Sequence, residues 1–335
     1  MKSLVLILAL LVFARPVAHA APTEAEFAFA ARAIAVTAGG AAMDRYRQSM
    51  ENLAEGLAGS CAGRDALFAQ AVFAWNAARP FMSGPFLEGD GLARIEYWPD
   101  KHGTGTRQLR RALHDADPGL LEPGALAQKS VALGDLQALE FLLWPVDGPV
   151  PAADSFACRL AGAVARRQRD LAADLVAKWR TAESTAAEPV SGFVRRGAEL
   201  LDLIVLLKLE PVIGRYREAA TPAAAEHGAS GISLAAVAGG MQGLTDMYVV
   251  EGGLGDLMTA AGAAPLGAGI ADLLIEATAI ARALDRPLGA LATDPVMRAD
   301  AEDLLQRIRT IRTLWQGAMI QELGLSLGFN SLDGD

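Results

Sequence analysis

The amino-acid sequence predicts an all-α protein. Alanine and leucine are abundant, aromatic residues make up only 6% of the chain, and no sustained alternating run of β-branched residues occurs. This composition favours helices over strands. Segments rich in proline and glycine separate the helical runs. The expected helices are residues 24–38, 41–58, 64–82, 104–116, 129–144, 154–183, 190–210, 232–250, 267–284 and 294–323.

Residues 1–20 are predicted to be a cleaved signal peptide and not part of the fold. Lys2 gives a basic start, the apolar run LVLILALLVF follows, and AHA before Ala21 fits a small-residue cleavage site. The apolar run is too short to span a bilayer as a mature helix. We therefore expect a periplasmic protein without stable insertion into a membrane.

The rest of the chain is predicted to form two packed helical bundles, for which an internal duplication is one origin. The segment 145–153, rich in proline and glycine, separates an N-terminal half (21–150) from a C-terminal half (151–335). Cys61 and Cys158 are the two cysteines. An oxidising compartment favours a disulfide between them, but the sequence does not show whether their Cα atoms approach, so both states stay open.

Charge and motifs exclude several classes of function. The net charge is −9, and it becomes −11 without the signal peptide, whose charged residues are Lys2 and Arg15. Such acidity argues against nucleic acid and anionic lipid as partners. The chain has no HExxH and no GxxxxGK[ST] motif. After residue 20 its histidines are His102, His114 and His227, none paired at helical spacing, so we predict no catalytic residue.

The run GDLQALEFLLW at 134–144 places polar residues in an otherwise apolar helix. Gln137 lies three residues before Glu140, so the two side chains are neighbours on one surface of the helix. A buried carboxylate is costly unless a partner compensates it. The pair therefore predicts a contact either with a ligand or with a structural partner.

Other polar residues are candidates for the same cleft. Arg94 and Glu96 precede the Trp98-Pro99 break, and Arg94 is also the sequence-close ion partner of Glu96. The HGTGT loop at 102–106 predicts either a threonine cap for the following helix or, less strongly, a ligand contact through its backbone N–H groups. Ser230 and Ser233 are expected to cap the helix that begins near 232.

Four segments resemble the imelysin family of bacterial periplasmic proteins. They are GPFLEGDGLARIEYWPDKHGTGTRQL, GDLQALEFLLW, CRLAGAVARRQRDLAADLVAKW and EHGASGISLAAVAGGMQGLTDMY, and the resemblance runs from about residue 25 to about residue 320. It implies two helical halves, a link to iron uptake, and a metallopeptidase label based on a GxHxxE motif proposed to bind metal. On DLQALE this motif places Asp135 at the glycine, Gln137 at the histidine and Glu140 at the glutamate. Glutamine is a far poorer ligand for transition metals than imidazole.

Together, the residues and the resemblance predict a non-catalytic periplasmic protein associated with iron acquisition. It would bind iron, or a small iron-bearing ligand, in a cleft between the halves lined by Arg94, Glu96, Asp135, Gln137 and Glu140, with Glu140 as the candidate metal ligand. One alternative is a metal-dependent peptidase, which a histidine folded close to Glu140 would favour. The other is a scaffold for a periplasmic or outer-membrane protein, which a large exposed apolar patch without a polar-lined cleft would favour.

Overall fold

The computed structural model describes residues 21–145, 148–182 and 187–326, so the predicted signal peptide lies outside the described residues. Across these ranges the chain forms helices and no strand, which confirms the all-α class. The α-helices are α1 (Glu24–Arg32), α2 (Gly40–Gly56), α3 (Arg64–Ala78), α4 (Thr104–Asp115), α5 (Leu136–Leu143), α6 (Phe156–Thr181), α7 (Val190–Asp202), α8 (Glu210–Ile213), α9 (Ser233–Val249), α10 (Leu254–Ala260), α11 (Ala264–Ala283), α12 (Leu288–Thr293), α13 (Arg298–Leu314) and α14 (Ile320–Glu322).

Several of the predicted helices contain a π-helical segment. Residues Ala33–Gly39 join α1 to α2, Leu203–Leu209 join α7 to α8, and Trp315–Met319 join α13 to α14. Such wider turns inside helices often occur at functional sites. A helix, a π segment and a second helix therefore follow one another in both halves of the chain, once in the first and twice in the second.

Helix bounds differ from the sequence prediction in two ways. The predicted helix 129–144 is shortened to α5, because Val131–Leu133 form a separate 3₁₀ turn and Asp135 caps the helix. Helices α10 and α12 were not predicted. They have seven and six residues, too few for the repeated turns that reveal a helical period.

The two halves share one hydrophobic core, and α3 and α9 meet closely within it. A Cβ atom on Gly239 would lie 2.3 Å from the carbonyl oxygen of Phe73, and one on Gly243 would lie 2.3 Å from that of Ala77. Only glycine permits this approach of two helices. It holds α3, from the N-terminal half, directly against α9, from the C-terminal half.

Cys61 and Cys158 form a disulfide, with their Cα atoms 5.8 Å apart. The bond joins the segment after α2 to the first turn of α6, and both residues are buried. It thus resolves the question that the sequence left open. The two cysteines are 97 residues apart in sequence. Closing so long a loop strongly restricts the unfolded chain and so stabilises the folded one.

Helix α11 is long and apolar enough to cross a membrane, by length and composition alone. One-third of its most apolar window is buried against the protein, and Glu276 on its exposed side forms an ion pair with Arg307. Core helices of globular proteins commonly pass the same test, so α11 is weak evidence for a membrane span.

Candidate functional site

The residues before α5 anchor the backbone around the site. The Asp135 carboxylate accepts hydrogen bonds from the N–H groups of Ala138 and Tyr97, each at 2.7 Å. Burial, opposed by these two bonds, raises the pKa of Asp135 to about 7. Asp135 therefore serves as the cap of α5 and ties it to the segment that carries Glu96.

Arg167 and Gln168 of α6 complete this anchoring. Both side chains donate to the carbonyl oxygens of Arg94 and Gly134. Gly134 has no room for a side chain, because a Cβ there would lie 2.6 Å from Cδ of Arg167. We refer to Asp135, Arg167 and Gln168 as the capping cluster.

The structure does not bring the Arg94 side chain to Glu96. Its guanidinium donates to the carbonyl oxygens of Pro85 at 3.2 Å and Gly91 at 3.4 Å. Glu96 instead faces His227. The expected pairing of Arg94 with Glu96 is therefore wrong, because the guanidinium bonds to carbonyl oxygens of the preceding turns instead.

A second group of buried side chains lies between the two halves. His227 places Nε2 2.7 Å from Oε1 of Glu96, and Nδ1 3.4 Å from Oε2 of Glu140. The neighbouring Glu226 is equally buried. We refer to Glu96, Glu140, Glu226 and His227 as the acid–histidine cluster.

Neutral donors from three segments hold two of these carboxylates. Trp75 Nε1 donates to Glu96 at 2.7 Å, and the Gln137 amide donates to the other oxygen of Glu96 at 3.1 Å. The backbone N–H and the hydroxyl of Ser230 both donate to Glu140 at 2.7 Å. Gln137 and Glu140 thus do share one surface, as their spacing predicts.

The turn 226–230 has a constrained backbone. His227 has a φ of 53°, in the left-handed region that non-glycine residues seldom adopt. Ser230 is used on Glu140, and Ser233 donates to the carbonyl of Glu226, so neither side chain caps α9. Left-handed residues of this kind tend to occur at functional sites, where the surrounding contacts hold them.

A buried lysine adjoins the cluster. Lys208 lies in the π segment Leu203–Leu209 and is 2% exposed, with Nζ 2.6 Å from Oε2 of Glu226 and 2.7 Å from Oδ1 of Asn76. Glu210, its neighbour in the sequence, pairs instead with Arg309. Lysine is almost never buried without a partner, and here an acid from a distant loop provides it.

The charges of the cluster depend on one another. Burial alone would lower the pKa of His227, but its contacts with Glu140 and Glu96 raise it to about 10. Burial opposes ionisation of Glu96 and Glu140 as well, yet the bonds and charge of His227 bring both pKa values below the ordinary range. Burial raises the pKa of Glu226 despite the nearby Lys208. The metal-free cluster is therefore an imidazolium held between two carboxylates.

The donor set fits a metal ion. One ligand atom from each of Glu96, Glu226 and His227 can be chosen so that all three lie within 4.8 Å of one another. Both Glu226 oxygens and His227 Nε2 lack a well-aligned hydrogen bond, although charged partners are near. Unmatched buried polar atoms of this kind can mark a missing ion or water. Imidazole nitrogen with carboxylate oxygens is a donor set that iron accepts.

A cavity of about 430 Å³ adjoins this cluster. Gln137 and Glu140 line it, whereas the side chains of Glu96, Glu226 and His227 are at most 2% exposed. Asp135 also lines the cavity, but its oxygens are used on backbone N–H groups. Gln137 and Glu140 therefore lie between the cavity and the buried part of the cluster.

The HGTGT loop does not supply free N–H groups to the cavity. The Asp100 carboxylate accepts from the backbone N–H groups of Thr104, Gly105 and Thr106. No threonine side chain caps α4. Asp100 thus occupies the N–H groups that were expected to contact a ligand, and it takes the place of the expected threonine cap.

Sequence analysis missed the contribution of residues 208 and 226–230 to the site. The adjacent Glu226 and His227, at the start of EHGASGIS, are the sequence feature that indicates metal-ligating side chains there. Nothing local could show that they fold against Glu96 and Glu140, because about 90 residues separate Ser230 from Glu140. The pairing depends on tertiary packing.

Comparison with known proteins agrees with this fold. A solved imelysin-like protein from Psychrobacter arcticum 273-4 is 17% identical, with a TM-score of 0.67 over 92% of this chain and 99% of that one. A putative iron-regulated protein A precursor from Parabacteroides distasonis ATCC 8503 is 13% identical, with a TM-score of 0.66 over 90% of this chain and 96% of that one. A comparison with curated proteins gives no match. The sequence model of the family described as Imelysin matches residues 37–314, and the chain therefore belongs to the imelysin family.

Proposed function

We propose that this chain is a non-catalytic, iron-associated periplasmic protein that binds iron at the acid–histidine cluster. The observation that carries the proposal is the convergence of three buried carboxylates and one imidazole from both halves of the chain. Glu96, Glu226 and His227 would be the primary ligands, and Glu140 the fourth. Its fold neighbour described as iron-regulated supports the link to iron.

The position of Gln137 refines the role expected from the family motif. Its amide donates to Glu96 and lies 3.4 Å from Nδ1 of His227. We infer that His227, from the other half, supplies the imidazole that the DLQALE sequence lacks. Gln137 would then orient Glu96 and leave the ion to the carboxylates and His227.

A metal-dependent peptidase is the second candidate, because His227 does fold close to Glu140. Peptide hydrolysis needs a metal-bound water that reaches the peptide bond. The candidate ligands are instead buried behind Gln137 and Glu140, and the cavity before them is small for an extended chain. Both observations favour binding over hydrolysis.

The remaining expectations form part of the same proposal. The signal-like segment 1–20 supports export to the periplasm. A small iron-bearing ligand, or a periplasmic or outer-membrane protein that delivers or accepts iron, would be the partner. The cavity next to the cluster, which has Gln137 and Glu140 in its wall, favours a ligand-binding protein over a scaffold that works only through an apolar surface.

The test is the metal content of protein purified without chelators or tags, measured by mass spectrometry, with an anaerobic Fe²⁺ titration. We expect about one ion per chain in the wild type. Glu96→Gln should bind Fe²⁺ at least 100-fold more weakly, because it removes one of only four protein ligands. Glu210→Gln is the matched control, because Glu210 pairs with Arg309 outside the cluster. Absence of binding, or equal binding by both variants, would refute the metal site. Cleavage of casein by the iron-loaded wild type, lost in Glu96→Gln, would favour the peptidase.

A further inference from the structure

The cavity beside the acid–histidine cluster has its own chemistry. Its walls are largely apolar, and they include Leu109 and Leu113 of α4, Phe141 of α5 and Trp144 just after α5. Trp144 is held in place by Phe68, at 5.1 Å between ring centroids, and by the Arg64 guanidinium over its face at 4.8 Å. Apolar walls with a few polar groups at the ends are typical of small-molecule sites of this volume.

The acids in the cavity wall are already matched. Asp100 accepts from three backbone N–H groups, Asp135 accepts from two, and Glu140 accepts twice from Ser230 and faces His227. Their oxygens already accept hydrogen bonds from the protein, and Glu140 in addition faces the acid–histidine cluster.

Arg110 is a cation in the cavity wall, and it differs from the neighbouring arginines of α4. Arg107 and Arg111 of α4 bond to the carbonyl of His102 and to Asp115, respectively. Arg110 lies between them in sequence, is exposed and lines the cavity, and it forms no ion pair with an acid among residues 21–145, 148–182 and 187–326. A guanidinium at an apolar cavity is suited to a carboxylate, which it can bind with two parallel hydrogen bonds.

We propose that this cavity binds a small aromatic carboxylate, with its ring among Leu113, Phe141 and Trp144 and its carboxylate on Arg110. Apolar burial of the ring would provide most of the affinity, and the guanidinium would select for the anion. The Gln137 amide lies in the same wall and offers a polar contact to a ring substituent. This binding does not require the metal ion, so its test is independent of the proposed function.

The experiment measures the fluorescence anisotropy of 2-naphthoate titrated with metal-free protein, and repeats the titration with the uncharged 2-naphthalenemethanol. We expect saturable binding of 2-naphthoate, and at least tenfold weaker binding of the alcohol. Arg110→Gln should weaken naphthoate binding at least tenfold and leave binding of the alcohol unchanged. Arg111→Gln is the matched control, because Arg111 is on the same helix and pairs with Asp115.

A second variant tests the location of the ring. Leu113→Trp adds bulk at a half-buried position of the wall and should prevent binding of both compounds, with its helical circular dichroism unchanged. Equal binding of acid and alcohol would overturn the anion selectivity. Equal weakening by Arg110→Gln and Arg111→Gln would show a non-specific charge effect and overturn the role of Arg110. Absence of saturable naphthoate binding to the wild type would overturn the site.

Discussion

The capping cluster and the acid–histidine cluster are both polar and largely buried, and Asp135 of the first lies five residues before Glu140 of the second, yet their polar groups are matched differently. Around Asp135, carboxylate oxygens meet backbone N–H groups and backbone carbonyls meet Arg167 and Gln168, with Gln168 Oε1 as the unmatched atom. Around His227, the contacts are ion pairs between charged side chains. Both carboxylate oxygens of Glu226 and Nε2 of His227 lack a well-aligned hydrogen bond. The capping cluster therefore fixes the backbone, whereas the acid–histidine cluster keeps polar atoms that could bind a metal ion.

Replacing His227 should have the largest effect. His227→Gln leaves Glu96 and Glu140 buried without their cation, which typically costs about 3–5 kcal/mol of stability. It also removes the only imidazole of the cluster, so Fe²⁺ affinity should fall at least 100-fold. Urea unfolding and anaerobic titration measure the two effects. His114→Gln is the control, because His114 is exposed on α4; the same losses in that variant would argue against a specific role for His227.

Replacing Asp135 should affect stability and spare metal binding. Asp135→Ala removes the acceptor of two backbone N–H groups, and we expect a loss of about 2–4 kcal/mol in the free energy of unfolding. Metal bound per folded molecule should stay within about twofold of the wild type. If Asp135→Ala abolished binding while the protein remained folded, the distinction between the two clusters would fail.

The pH dependence of stability should report on His227. Its pKa is raised to about 10, so its contribution to stability is fully present below its ordinary pKa and is lost as the pH rises through about 10. The free energy of unfolding of metal-free protein should therefore fall by about 1.4 kcal/mol more per pH unit between pH 7 and 10 than in His227→Gln. Asp135, with a pKa of about 7, titrates at the lower edge of this window, but it is present in both proteins and its effect cancels in the comparison. Identical slopes for both proteins would contradict the paired imidazolium.

Restoring the motif histidine should have the smallest effect. Gln137→His places an imidazole where Gln137 now contacts both Glu96 and His227, so it adds a ligand at the edge of the site. We expect about tenfold tighter Fe²⁺ binding, since imidazole is the better ligand. Titration of both proteins at one pH measures the gain. Weaker binding would mean that the Gln137 amide is needed to orient Glu96.

The fold and half of the site were predictable because their signals are local. The all-α class followed from composition, and the proximity of Gln137 to Glu140 followed from helical spacing. Asp135 was also singled out in the sequence, but its bond to the backbone N–H of Tyr97 depends on another segment, which the local pattern does not show.

The other half of the site depends on contacts that sequence does not encode locally. Lys208 and Glu226 meet because a π segment and a left-handed turn bring them together, and neither has a reliable sequence pattern. Arg94 shows the opposite error. Its proximity to Glu96 in sequence suggested an ion pair, while the 3₁₀ turn around it directs the guanidinium to backbone carbonyls.

The most direct test of the central claim is anomalous diffraction at the iron absorption edge from crystals grown anaerobically with Fe²⁺. We predict one strong peak within ligand distance of Glu96, Glu226 and His227, absent from crystals of His227→Gln. A peak confined to surface carboxylates, or no peak in well-ordered wild-type crystals, would contradict an iron site at the acid–histidine cluster.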